Sequence, residues 1–426
     1  MDLLRRHTRP RLALAACLLV WSGGVDAEEA WEWPRSTPAS EGLDANRLER
    51  LTAAVAAGSD YPDLHSLLIA RHGRLVVEEY FDGWTAEQPH TLQSVTKSFA
   101  SALVGIAIDR GVFTGVDERV LDFFPDVRRI ENLDDRKRAI TIEDLLTMRS
   151  GTDYNERGGN SPHDQLNRRP RGWDRFYLDR PMESVPGTVF QYDSGGVILL
   201  SSLLERRTGH HADVFAERHL FAPLEIDTVD WLRKREDHPH TGGGLSLRPR
   251  DMAKFGQLYL QEGRWEDRQV VPADWIREST RSHVPRDHGH NVGYGYLWWI
   301  HEPDPAGAGT RHIWAAQGFR GQYIFVVPEH DMVVVVTGVT RGYGAERRPI
   351  DMPSAAHLPS VRSWRRGQRS RPCGPRRRRP DGARQPRRRS TRALRGASGR
   401  SRRHRGPPRR AALRVSPGKS SCPAGP

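Results

Sequence analysis

Two short segments of mostly apolar residues predict a β-hairpin in the first quarter of the chain. Residues 66–72 form an apolar run, and Gly73 follows as a turn residue. Residues 74–81 are rich in valine and aromatic side chains, which favour strands. The pattern therefore predicts two antiparallel strands joined at Gly73.

A helical period follows over residues 92–110. The apolar side chains recur at spacings of three or four and so share one helix face: Val95, Phe99, Leu103 and Ile106. Gly111 comes directly afterwards, where glycine commonly ends a helix. We therefore predict a helix over residues 92–110.

Further segments with a regular pattern lie in the middle and near the end of the chain. Residues 139–149, 197–206 and 249–262 carry a helical pattern, and three later apolar runs predict strands at 296–300, 323–327 and 332–336. Residues 156–179 are polar and show no period. They predict a long loop, a feature that is often functional in compact domains.

The order of these elements predicts an α+β fold. Strands at both ends with helices between them indicate one antiparallel sheet that is shared by the two ends and flanked by helices. We assign this domain to residues 28–345. Its sheet part covers about 43–110 and 290–345, and its mostly helical part about 111–289.

Charge divides the chain into two parts. Residues 346–426 hold 25 Lys and Arg against 3 Asp and Glu, a net charge of +22, so the whole-chain charge of +13 leaves −9 for residues 1–345. The segment has few apolar residues and no period, which predicts disorder. Two interpretations stay open: a basic arm that binds nucleic acid, and the product of a frameshift in a GC-rich gene.

The N-terminus resembles an export signal. Arg5 and its neighbouring arginines precede an apolar run over residues 12–21, and Val25-Asp26-Ala27 fits the small-x-small rule for cleavage. We expect cleavage after residue 27 and a periplasmic or secreted protein, with no other attachment to a membrane. The alternative is a lipoprotein modified at Cys17.

The sequence contains little that indicates a cofactor or a metal site. The cysteines, Cys17, Cys373 and Cys422, all lie outside residues 28–345, which excludes a cysteine nucleophile or a disulfide there. His238, His240, His288 and His290 stand in polar stretches and are expected to be solvated. We therefore expect no cofactor and no metal.

Ser94 and Lys97 provide the strongest candidate for chemistry. A serine hydroxyl needs a base to become a nucleophile, and residues three apart lie on the same face of a helix. Lys97 can act as that base only when it is neutral, which requires burial or a nearby cation to lower its pKa. A Ser-x-x-Lys pattern is common by chance, so the neighbouring motifs must show whether this one is functional.

That context resembles the serine β-lactamase and penicillin-binding-protein-like hydrolases, especially family VIII carboxylesterases and 6-aminohexanoate-dimer hydrolases. The similarity covers about residues 43–339 and follows the family order of motifs: Ser94-Val95-Thr96-Lys97, Tyr192-Asp193-Ser194 and Ala316-Gln317-Gly318. Three further blocks are similar to stretches of this group, at residues 145–151, 242–245 and 294–299.

The resemblance implies a role for each matching residue. Ser94 would form an acyl-enzyme, Lys97 would take its proton, and Tyr192 would relay a proton to the leaving group. The backbone N–H groups of Ser94 and Phe319 would form the oxyanion hole. Ser194, Gln317, Gly318 and Arg320 would contact the substrate.

Two departures from the family pattern shape the expected substrate. Ser194 replaces an asparagine, and Ala316 replaces the lysine or histidine that holds a substrate carboxylate. We therefore expect hydrolysis of an ester or amide bond in a small molecule. The alternatives are a β-lactamase or D-Ala-D-Ala carboxypeptidase, and a non-catalytic penicillin-binding-like sensor. We expect no nucleic acid partner for the folded domain, and the oligomeric state stays open.

Overall fold

The computed structural model describes residues 31–58, 63–233, 238–288, 291–302 and 312–339, all within one compact unit. The predicted signal peptide and the basic segment 346–426 lie outside these residues. Within the described part of the chain, no helix is both long and apolar enough to cross a membrane.

Thirteen strands are described along the chain. They are β1 (Leu64–Arg71), β2 (Arg74–Tyr80), β3 (His90–Thr91), β4 (Val229–Trp231), β5 (Leu245–Leu247), β6 (Arg264–Trp265), β7 (Arg268–Gln269), β8 (Val284–His288), β9 (Asn291–Tyr294), β10 (Trp299–His301), β11 (Ile313–Gly318), β12 (Gln322–Val327) and β13 (Met332–Gly338).

Ten α-helices accompany these strands in the described residues. They are α1 (Ala45–Ala56), α2 (Thr96–Asp109), α3 (Asp135–Ala139), α4 (Ile142–Leu146), α5 (Pro162–Arg168), α6 (Trp173–Leu178), α7 (Ser194–Thr208), α8 (Ala212–Ala216), α9 (Pro249–Leu260) and α10 (Ala273–Ser279).

One large antiparallel sheet dominates the architecture, in the strand order β2-β1-β13-β12-β11-β10-β9-β8. The predicted hairpin is present, with Arg71 opposite Arg74, and Gly73 adopts a φ of +69° at its turn. β1 also pairs with β13, where Leu68 lies opposite Val335. The prediction that both ends of the domain share one antiparallel sheet is therefore confirmed.

Both faces of this sheet are apolar because successive side chains of a strand point to opposite sides. In β13, Val333 and Val335 belong to the main core, which includes apolar side chains of α2, α7 and α9. Met332 and Val334 belong to a second cluster, against which Leu48 and Leu51 of α1 pack. The sheet is thus covered by helices on its inner face and by α1 on its outer face.

The predicted helix at 139–149 is wrong in its boundaries. α3 already ends at Ala139, where the predicted helix starts, and within the predicted range only α4 (Ile142–Leu146) follows, after Ile140 and Thr141. Thr141 forms a capping box with Asp144, in which each side chain accepts a hydrogen bond from the other residue's backbone N–H. The cap begins a new helix and prevents one continuous helix from forming.

The predicted loop over residues 156–179 is also wrong, because α5 and α6 lie within it. A capping box between Ser161 and Asp164 begins α5, and Pro162 occupies its first position. Buried Leu166 and Trp173 fix these helices to the core. Each helix is too short for a helical period to be visible in the sequence.

The predicted strand at 296–300 starts too early. β10 begins at Trp299, because the backbone at Leu297 turns with a φ of +63°. The carbonyl of Leu297 accepts a hydrogen bond from the Ser98 hydroxyl at 2.8 Å, and its N–H donates to Leu146 at 3.0 Å. The turn therefore joins the end of the sheet to α2 and α4.

We predict that Gly256→Ala destabilises the protein. A Cβ atom at Gly256, on α9, would lie 2.5 Å from Cγ1 of Val333 on β13. Overpacking of this kind costs about 1–3 kcal/mol, although alanine by itself favours a helix. Thermal unfolding should show a lower Tm for this variant.

Two further variants control this measurement. Gly159→Ala, at a site with nothing within 4 Å, should leave Tm unchanged. Adding Val333→Ala to Gly256→Ala should recover part of the loss, since it removes the clashing methyl groups. Equal Tm values for Gly256→Ala and the wild type would contradict the packing described.

Candidate active site

Ser94 lies in a short 3₁₀ turn, Gln93–Val95, that leads directly into α2. The predicted helix therefore begins later than residue 92, and Ser94 precedes its first α-helical residue. Gln93 adopts a φ of +48°, which is uncommon for a residue other than glycine. Lys97 is the second residue of α2, and its Nζ lies 2.9 Å from the Ser94 Oγ. The structure thus brings the predicted pair into hydrogen-bond contact.

Lys97 is buried, with 1% of its surface exposed. Its Nζ also donates a hydrogen bond to the backbone carbonyl of Gly242. Burial lowers the pKa of Lys97 to about 8, while the carboxylates of Glu156 and Asp193 oppose this change. A substantial fraction of Lys97 is therefore neutral in mildly alkaline solution.

Asp193, in the second predicted motif, caps the N-terminus of α7. Its Oδ1 accepts a hydrogen bond from the Gly196 N–H at 2.8 Å. Its Oδ2 accepts hydrogen bonds from the hydroxyls of Tyr177 and Ser150, the latter at 3.0 Å. Burial raises the pKa of Asp193 to about 6 despite these donors. This network fixes the start of α7, and with it the neighbouring Tyr192.

Tyr192 lies beside both members of the predicted pair. The Lys97 Nζ is 5.0 Å from its ring centroid, and its phenol is close enough to Ser94 for the two side chains to interact. Burial and the charge of Glu156 raise the pKa of Tyr192 well above its usual value. The phenol is therefore neutral at physiological pH and can donate a proton.

The aromatic ring of Tyr192 forms part of a wall beside Ser94. Trp299 stacks on it with a centroid separation of 6.0 Å and an interplanar angle of 18°. Phe190 and Tyr294 make edge contacts with each other at 5.2 Å and with Trp299. Trp298 turns the other way and is fully buried in the core. The wall gives this side of the site an apolar surface.

Glu156 is a charged residue of the site that the sequence analysis missed. It lies in the segment before α5, and its Oε1 accepts a hydrogen bond from the Ser194 N–H at 2.8 Å. Its charge acts on both Lys97 and Tyr192. No spacing rule links it to residues so far away in sequence. The sequence indicated Glu156 only in that it is the first residue of the polar segment 156–179, which was expected to be functional.

Ser194 is the first residue of α7 and is buried. Its carbonyl oxygen would lie 3.0 Å from a Cβ atom placed at Gly242. The glycine at position 242 therefore allows its own carbonyl to approach Lys97 while its α-carbon packs on α7. This close contact joins the start of α7 to the segment before β5.

The end of β11 lies against the turn that carries Ser94. A Cβ atom at Gly318 would be 2.3 Å from the carbonyl oxygen of Leu92, so only glycine fits there. Phe319 follows in the tight connection to β12 and is 45% exposed. Buried Gln322 fixes this connection by donating to the carbonyls of Phe319 and Arg320 at 3.4 and 3.2 Å. The predicted oxyanion donors thus belong to adjoining segments.

The remaining predicted contact residues differ in their orientation. Ala316 is buried in the main core. The Gln317 side chain contacts the His301 imidazole, and it lies on the same face of β11 as Ile313 and Ala315, which belong to the outer cluster. Only the backbone of Gln317 is therefore presented on the Ser94 side. Arg320 is exposed, with its guanidinium carbon 5.4 Å from the Phe319 ring centroid.

This chain is similar in sequence or fold to several known proteins that are named as hydrolases or penicillin-binding proteins. A 6-aminohexanoate-dimer hydrolase of Paenarthrobacter ureafaciens is 26% identical over 295 residues, which cover 63% of this chain and 71% of that protein. The structure is also similar to EstCE1, a hydrolase with promiscuous acyltransferase activity. The TM-score is 0.57 at 16% identity, and the match covers 69% of this chain and 93% of EstCE1.

A third similarity is to the octameric penicillin-binding protein homologue from Pyrococcus abyssi, with a TM-score of 0.56 at 20% identity. This match covers 75% of this chain and 78% of that protein. At such identities the two structural similarities establish the fold alone. A family model described as Beta-lactamase matches residues 51–357, which is most of the chain. The protein therefore belongs to the Beta-lactamase family.

Proposed function

We propose that this protein hydrolyses an ester or amide bond of a small molecule through an acyl-enzyme on Ser94. The observation that carries this proposal is the 2.9 Å contact between the Ser94 Oγ and the Nζ of buried Lys97. Burial lowers the pKa of Lys97 to about 8, so that its neutral form is accessible as a base.

In acylation, Lys97 takes the proton of the Ser94 hydroxyl as Oγ attacks the substrate carbonyl. The resulting oxyanion accepts hydrogen bonds from the backbone N–H groups of Ser94 and Phe319. The close approach of Gly318 to Leu92 supports this pairing of donors. Each such donor contributes about 3–4 kcal/mol to transition-state binding.

Tyr192 completes the proton path in this mechanism. Its neutral phenol donates a proton to the leaving alcohol or amine as the carbonyl re-forms, and the Lys97 ammonium restores that proton. Water then attacks the acyl-enzyme and gives up a proton through the same groups, which releases the acid and free Ser94. The position of Tyr192, with its ring centroid 5.0 Å from the Lys97 Nζ and its phenol beside Ser94, supports this role.

Charges around the site favour substrates without a carboxylate next to the scissile bond. Ala316 supplies no cation on β11, and the carboxylates of Glu156 and Asp193 add negative charge near Lys97. Two similar proteins are called a 6-aminohexanoate-dimer hydrolase and a hydrolase with promiscuous acyltransferase activity, and neither name refers to a β-lactam. We therefore propose neutral short-chain esters and linear amides rather than β-lactams.

The proposed nucleophile and base are tested by replacing each in turn. Ser94→Ala should reduce ester hydrolysis by at least about 10³-fold without loss of folding, because the hydroxyl is the nucleophile. Lys97→Arg should be similarly inactive, since a guanidinium stays protonated and cannot act as a base. Rates with p-nitrophenyl esters and covalent labelling of Ser94 by a fluorophosphonate measure both effects. Substantial activity of Lys97→Arg would point to another base.

We predict that kcat/KM rises with pH through about pH 8 and then levels, because Lys97 is active when deprotonated. Glu156 raises the pKa of Lys97, so Glu156→Gln should move this rise to lower pH. Glu183→Gln, at an exposed carboxylate, is the matched control and should leave the profile unchanged. A profile that is flat between pH 6 and 9, or one unmoved by Glu156→Gln, would contradict the role of Lys97.

Substrate choice tests the consequence of Ala316. A lost charge-assisted hydrogen bond is worth about 1.5–3 kcal/mol, so a neutral ester should exceed a cephalosporin in kcat/KM by one to two decades. Exposed Arg320 is the candidate for a replacement anchor. A cephalosporin preferred by both the wild type and Arg320→Ala would refute the esterase assignment. A cephalosporin preference of the wild type that Arg320→Ala removes would show that Arg320 is the anchor.

A further inference from the structure

Two of the histidines expected to be solvated are instead packed into the structure. His240 is 6% exposed, and its Nε2 lies 3.1 Å from the Asn167 Oδ1. The His238 Nδ1 contacts the carboxylate of Glu205. Glu205 lies eleven residues after Ser194 on α7, or about 16 Å along the helix axis. The cluster around Glu205 is thus separate from the candidate active site.

Three side chains from separate segments converge at this place. Glu205 comes from the last turns of α7, His211 from the N-cap of α8, and His238 from the segment before β5. The His211 Nδ1 lies 2.9 Å from the Glu205 Oε2, and the His238 Nδ1 approaches the same oxygen. The three candidate ligand atoms all lie within 4.8 Å of one another.

This arrangement has the dimensions of a metal site. Zinc binds imidazole nitrogens and carboxylate oxygens at about 2.0–2.2 Å, which in a tetrahedron separates neighbouring ligands by about 3.3 Å. Rotations of the side chains that move the imidazole nitrogens away from the carboxylate by up to about 1 Å would open enough room for an ion. The two rings are inclined at 66°, with centroids 6.1 Å apart, so they approach the carboxylate from different directions.

Burial and charge also fit a bound cation. The side chains of His211, Glu205 and His238 are 29%, 30% and 15% exposed, which shields the cluster but leaves one side open to water. The nearby guanidinium of Arg233 is paired with Asp213, so its charge is compensated. Arg218 is a further cation in this region, with its Nη1 3.2 Å from the Nε2 of His210.

We propose that Glu205, His211 and His238 bind one divalent transition-metal ion, with zinc as the best fit. Two imidazoles and a carboxylate are a ligand set that suits zinc, cobalt and nickel and leaves a fourth position for water. The ion would join α7, α8 and the segment before β5. His238 is four residues before Gly242, whose carbonyl contacts Lys97, so the metal would stabilise the support of the active site.

Zinc retention by the full-length protein tests this site. The protein is purified without a histidine tag, treated with a chelator, loaded with zinc and passed through a desalting column. Elemental analysis should then find one zinc ion per chain, and Tm should rise with zinc concentration because the ion binds the folded state. Cobalt should give the visible absorption of a tetrahedral or five-coordinate site.

Three variants and one control assign the ion to these residues. His211→Ala, His238→Ala and Glu205→Gln should each weaken zinc binding more than about tenfold and abolish the rise in Tm. His210→Ala, at the exposed neighbouring histidine, should bind zinc as the wild type does. Far-UV circular dichroism and a cooperative thermal transition of each metal-free variant report that it is folded, and using three variants keeps the test valid if one of them misfolds.

Two outcomes would overturn the proposal. A wild-type protein that retains no zinc would show that the two imidazoles contact Glu205 without holding an ion. Zinc retained equally by the wild type and all three variants would place the ion elsewhere. Because binding and Tm are measured directly, neither outcome depends on whether Ser94 is the nucleophile.

Discussion

The burial of the Lys97 ammonium against Ser94 is the interaction on which the rest of the site depends. Lowering the pKa of Lys97 from 10.5 to about 8 corresponds to about 3 kcal/mol in favour of the neutral amine. The pKa of Lys97 is lower in the folded protein than in the unfolded chain, so its burial reduces the free energy of unfolding. This reduction is complete below about pH 8 and disappears as the pH rises toward 10.5. The surrounding structure must therefore keep the Lys97 ammonium group buried, although hydration favours its exposure to water.

Close backbone approaches supply much of that support. Gly242 offers its carbonyl to Lys97 while packing on Ser194, and Gly318 brings the end of β11 against Leu92. At either position a Cβ atom would crowd the neighbouring carbonyl oxygen and push a segment of the site outward. Gly242 and Gly318 thus matter because they have no side chain, which allows neighbouring backbone segments to approach closely.

Two carboxylates partly offset the effect of burial on the pKa of Lys97. Glu156 and Asp193 both raise the pKa of Lys97, and Asp193 is itself only weakly acidic because burial raises its pKa to about 6. The site thus combines a buried lysine whose pKa is about 8 with nearby carboxylates and an apolar wall that contains Trp299. Since Ala316 supplies no cation on β11, these carboxylates and the apolar wall set the character of the site.

The sequence by itself determined the α+β class, the hairpin at Gly73, and the candidate pair Ser94 and Lys97, because each depends on local spacing. Secondary structure was predicted wrongly from the sequence near Thr141 and Ser161. At each position a capping box begins a helix that is too short to show a hydrophobic period. Only the tertiary structure brought Glu156 to the start of α7 and assembled Glu205, His211 and His238. Those groups meet through packing of segments that are distant in the chain, and no one-dimensional pattern records such contacts.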